Sequence, residues 1–101
     1  MATYIVLGHF TEQGRRNIKA MPASVRANQK RGENAQVVVK AFYFLQGEYD
    51  TITIVDAQDE ETAMAAVLAI GLQGNVQTTT VRAFTVEEME RITERLPPNT
   101  D

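Results

Sequence analysis

Runs of β-branched and aromatic residues alternate along this chain with stretches whose apolar residues recur every three or four positions, and that alternation predicts strand and helix in turn. Tyr4 to Phe10 reads as a strand, after which Thr11 offers a helix N-cap with Glu12 in the first turn. From there to about Arg31 the pattern is helical, with Ile18, Met21 and Val25 on one face and Pro22 placed to kink the helix or divide it in two. Gly32 is a stop signal, and Val37 to Leu45 makes a second strand. Gly47-Glu48-Tyr49-Asp50, polar and turn-forming between two apolar runs, predicts a hairpin into a third strand, Thr51 to Asp56. Asp59 caps a second helix to about Ile70, which Gly71, Gly74 and Asn75 terminate. Val76 to Phe84 is a fourth strand, and Thr85-Val86-Glu87-Glu88 matches a capping box for a short final helix. Residues 1–95 form one domain on this reading, with 96–101 a disordered tail.

The order β-α-β-β-α-β plus a terminal helix predicts an α+β, ferredoxin-like fold: a four-stranded antiparallel sheet with both long helices on one face. Such a fold leaves the other sheet face bare. Either Tyr43 and Leu45 or Phe42 and Phe44 must project there, whichever register holds. Thr62 to Val81 carries no charge across twenty positions, and its helix is apolar over most of its circumference. A single small domain has little room to bury all of this, so the expectation is a homodimer or higher homo-oligomer, sheet face against sheet face.

Composition narrows the chemistry. With 101 residues, 44% hydrophobic and 23% charged, the chain suits one globular domain rather than a disordered or fibrous class. It has no cysteine, which removes disulfides, thiolate nucleophiles and Cys-based metal sites and fits a reducing compartment. The start of the sequence lacks the basic and apolar segments of an export signal, and the longest nearly apolar run, Ala63 to Leu72, is ten residues, about half of a membrane span. A cytoplasmic location without membrane association is expected. His9 is the only histidine, so no metal site is expected, and no cofactor.

Five segments, in order, resemble the GYD-domain family of small bacterial and archaeal proteins: Ala2 to Gly8, Phe10-Thr11-Glu12-Gln13-Gly14, Asn17-Ile18-Lys19 with Pro22, Gly47-Glu48-Tyr49-Asp50, and Thr78 to Phe84. The resemblance spans nearly the whole chain. It implies a ferredoxin-like domain related to the dimeric α/β-barrel superfamily, in which two sheets face each other around a shared cavity. It implies no settled activity and nothing for His9. The Arg31-Gly32-Glu33-Asn34 connection departs from the family's helix end.

Several side chains are candidates for a site. His9, the only imidazole, is a candidate general base, against the plainer reading of a polar residue at a strand end. Glu48 and Asp50, two apart, fall on one side of an extended chain and make a conceivable acid–base pair; the plainer reading has them satisfying turn donors or pairing with Arg82. Tyr49 and Asp50 are the best carriers of any function the family resemblance reflects, with Tyr49 hydrogen-bonding a ligand while its ring walls a cavity. Thr78, Thr80 and Arg82 share a face of the fourth strand, where two hydroxyls and a guanidinium suit a polar or anionic ligand. Catalytic candidates are therefore His9 and Asp50, and ligand-binding candidates are Tyr43, Glu48, Tyr49, Asp50, Thr78, Thr80 and Arg82.

Six of the ten basic residues lie in the first helical region, with no acid between Gln13 and Gly32. On a continuous helix Arg15, Lys19, Arg26 and Lys30 would fall within an arc of roughly 60°, opposite the apolar stripe, as a solvated face does. With a net charge of −3, nucleic acid is not the expected partner. Three readings follow. The leading one is a homo-oligomeric module binding a small molecule between its sheets; the others are a cofactor-independent oxygenase or isomerase of dimeric α/β-barrel type, and a structural subunit without a pocket.

Overall fold

The computed structural model describes residues 1–32 and 36–98. Its elements are β1 (Ala2–Phe10), α1 (Glu12–Arg16), a 3₁₀ turn (Ile18–Ala20), α2 (Met21–Gly32), β2 (Val37–Phe44), β3 (Thr51–Ala57), α3 (Glu60–Leu72), β4 (Val76–Ala83) and α4 (Val86–Thr93). All pairings are antiparallel and the strand order is β2-β3-β1-β4, the α+β ferredoxin-like arrangement that the element order predicts. Glu33 and Asn34 of the departing connection, and Asn99 to Asp101 of the expected tail, lie outside the described residues.

Alternation along the strands divides the sheet into two faces. Tyr4, Val6 and Gly8 of β1 are buried toward the helices, where Tyr4 packs with Val37, Val55, Ala57 and Ala63. Ile5 and Leu7 point the other way and pair across the sheet with Ile54 and Ile52. On β2 the register shifts between Val39 and Ala41, so Lys40 is a bulge. The extra residue reverses the alternation, which puts Phe42 and Phe44 on the same side as Val37 and Val39. Phe42 and Phe44 meet edge to face at 5.0 Å on the helix side, and it is Tyr43 that stands on the bare side.

The first helical region is divided, not kinked. The break is the 3₁₀ turn, and Pro22 sits in the first turn of α2, where its missing N–H would have had no partner. Arg15 and Lys19 therefore share no continuous helix with Arg26 and Lys30, and the single basic arc does not form. Gly14 of α1 is held so close to the loop entering β4 that a Cβ there would collide with the Asn75 carbonyl oxygen. Thr11 caps α1 through the Gly14 N–H and donates to the Gly74 carbonyl at 2.5 Å, while Gln13 donates to the Gln73 carbonyl at 2.9 Å.

α3 is arranged opposite to a usual surface helix. Ala63 is buried and Ala66 packs against the core, while Met64, Leu68 and Leu72, one turn apart, are 59%, 59% and 88% exposed. α4 is held at its start by a complete capping box between Thr85 and Glu88, yet Val86, Met89 and Leu96 stand in solvent. The chain exposes 7579 Å² and has a radius of gyration of 16.2 Å. A compact monomer of 11.2 kDa would expose about 5,700 Å² with a radius near 13 Å. About 1,900 Å² of surface is thus in excess of what a self-contained domain of this mass shows. Among the described residues, no helix is long and apolar enough to cross a membrane.

Candidate functional site

The hairpin connection and the end of β1 form one cluster. Asp50 donates its backbone N–H to the Gly8 carbonyl at 2.8 Å, and its carboxylate accepts the Phe10 N–H at 2.8 Å. One residue therefore extends the β3 side of the ladder ahead of the strand's first residue, Thr51, with backbone to Gly8 and side chain to Phe10. Tyr49, the neighbour, lays its ring on the His9 imidazole with centroids 4.7 Å apart. His9 and Tyr49 come together at one end of the bare sheet face, and Glu48 is exposed on the turn beside them. A Cβ at position 8 would collide with the Thr51 hydroxyl, so glycine at this point lets the buried Thr51 lie against β1.

The opposite end of the bare face is also polar. Thr3 donates to Asp56 at 2.7 Å, and Lys40 reaches the same carboxylate at 3.7 Å. Between the two ends lie Ile5, Leu7, Ile52 and Ile54, flanked by the more exposed Val38, Tyr43 and Val81.

Thr78, Thr80 and Arg82 pair with Gly8, Val6 and Tyr4, and so lie on the helix face of the sheet, opposite Tyr43. Arg82 does not meet Glu48 or Asp50. It pairs with Glu88 at 3.4 Å, donates to the Thr3 and Ala83 carbonyls, and lies over the Phe84 ring at 4.4 Å. The guanidinium joins β4 to α4. Glu88 accepts the Thr85 N–H, which with the adjacent Arg82 holds its carboxyl below the usual range. Asp59, accepting the Thr62 N–H at the start of α3, is lowered for the same first reason.

The remaining feature is a cavity of about 300 Å³ between the helix layer and the sheet. Val6, Val55 and Phe42 floor it, Val25 and Ile70 cover it, and Thr51, Thr53 and Thr78 are among its lining residues. Along one edge Asn28 and Gln73 exchange amide hydrogen bonds, at 3.2 and 3.5 Å, which tie α2 to the end of α3. The sequence pattern placed Thr78 among candidate residues but not Thr51, Thr53 or Asn28. The available signal was the run of alanines at 63, 66 and 69 on α3, which leaves space against the sheet.

Comparison with known proteins agrees with this architecture. A protein of Thermus thermophilus described as a glutamine synthetase and cystathionine beta-lyase binding protein is 32% identical over 90 residues, covering 88% of this chain and 95% of the relative. Among solved structures, MtbAldR superposes with a TM-score of 0.65 at 22% identity over 83% of this chain; the chain spans about half of MtbAldR, 52% of its length. TTHA0845, also from Thermus thermophilus, gives a TM-score of 0.52 at 24% identity, with 85% of this chain and 96% of that one covered. At these identities the two structures speak for the fold alone. The family model described as the GYD domain matches residues 4–93, so the chain belongs to the GYD domain family.

Proposed function

We propose that this protein is a homo-oligomeric binding module whose copies lay their bare sheet faces together and meet other molecules as an assembly. One observation carries the reading: an apolar centre of Ile5, Leu7, Ile52 and Ile54 bounded at one end by Thr3, Asp56 and Lys40 and at the other by His9 and Tyr49. An apolar centre within a polar rim is the anatomy of a protein interface. Of the residues expected to wall a chamber between sheets, Tyr43, Glu48 and Tyr49 lie at this face or its rim and are the ones that would contact a small molecule held there.

A protein partner is favoured by a separate observation. The relative at 32% identity is described as binding two enzymes, and in this chain the outward stripe of α3 is exposed on the helix side of the sheet, away from the bare face. A cytoplasmic setting suits the cysteine-free composition. An oxygenase or isomerase would enlist His9 or Asp50. His9 is stacked on a ring, and the Asp50 carboxylate is engaged by the Phe10 N–H, which gives the enzymatic reading less support.

Sedimentation velocity tests the assembly. Wild-type protein should sediment as two or more chains, and Ile52→Arg should give single chains that keep their circular dichroism. A folded 11.2-kDa species that persists at high concentration would overturn the reading.

A further inference from the structure

We infer that the cavity between the helix layer and the sheet is a binding site for an uncharged, largely apolar small molecule. This site lies on the other side of the sheet from the proposed interface and does not depend on it. Its volume of about 300 Å³ is at the small end of ligand pockets, and it opens partly to solvent.

The space follows from how α3 is built. Ala66 and Ala69 face the cavity, while Met64, Leu68 and Leu72, any of which could fill it, point outward. Contacts at the cavity's edge, at the lining residues Asn28, Gln73 and Asn75, form without an occupant. Gly14 abuts the Asn75 carbonyl, and the amides of Asn28 and Gln73 bond each other. The apolar part of the lining, Val6, Val37, Phe42, Val55 and Ile70, gives water few partners.

The lining also selects by charge. No lining residue among the described ones is charged, so an ion entering would lose its hydration without a counter-charge. Thr51, Thr53 and Thr78 in the lining suit one or two neutral polar groups on an otherwise apolar molecule.

The test uses the full chain and two fluorophores of one ring frame, the uncharged N-phenylnaphthylamine and the anionic anilinonaphthalene sulfonate. The uncharged probe should bind saturably at one per chain and raise the melting temperature, with the sulfonate at least about tenfold weaker. Methyl NMR should show shifts at Val25, Val55 and Ala66 while Ile5 and Ile54 stay in place, which locates the probe without mutation. Val25→Phe and Ala66→Leu should weaken binding at least about tenfold, and Ile52→Arg should leave it unchanged. Absence of saturable binding, equal affinity for the two probes, or shifts at Ile5 and Ile54 instead would overturn the inference. So would binding that appears only after Met89→Glu and Ile92→Glu, because a neighbouring copy's α4 would then be the occupant. A chain that stays single yet binds the uncharged probe would remove the assembly reading and leave this one intact.

Discussion

Asp50 does the work of a strand partner. Its N–H and carboxylate serve Gly8 and Phe10 in succession, so Asp50→Ala should leave the Phe10 N–H unpaired and cost about 1.5–3 kcal/mol, read from urea denaturation. Asp50→Asn keeps an acceptor and should cost about 1 kcal/mol or less. The importance of this residue was legible in its position beside Tyr49 at a hairpin, but its partner was not, since Phe10 is 40 positions away. Glu88 and Asp59 carry the acid response. Their carboxyls titrate lower in the folded chain, so the unfolded chain takes up protons first. Their contribution is complete above the ordinary carboxylate range, about pH 4, and is lost as the pH falls through the lowered values. Thermal melts between neutral and acidic pH should show little change down to that range and a decline below it, and Glu88→Gln should flatten part of the decline.

At the scale of elements, the order of strands and helices was readable because each boundary has local chemistry: Thr11, Asp59 and Thr85 all cap where the pattern places them. Two things were not readable. The bulge at Lys40 leaves no mark in the alternation of β2, yet it decides that Phe42 and Phe44 face the helices and Tyr43 the bare side. The direction of α3 was hidden because that helix is apolar on nearly every side, so periodicity gives no inward face. The candidate set split for the same reason: Thr78, Thr80 and Arg82 share a strand face, but which face of the sheet that is depends on packing. The outward stripe of α3 yields its own prediction. Leu68→Lys should change the stability of the lone chain by no more than about 0.5 kcal/mol, while lowering the affinity of a partner, or of another copy, that covers the stripe. Isothermal unfolding and sedimentation separate the two effects.

The whole molecule is too open for its mass. If copies assemble as proposed, the melting temperature should rise with protein concentration. For a dimer the rise should be about 3–6 °C per tenfold, since that step is worth about 1.4 kcal/mol shared between two chains. The association should also persist in strong salt, because the centre of the bare face carries no charge to screen.

The outward set of α3 has one more consequence, in redox terms. Met64 on α3 and Met89 on α4 are 59% and 52% exposed, whereas Met21 is 5% exposed in the interior. Peroxide should therefore convert the first two to sulfoxides well before the third, and each added oxygen would make a greasy contact polar. A cysteine-free protein would thereby carry an oxidant-sensitive surface that reductases can restore, with slow modification of either thioether marking a copy whose helices are already covered.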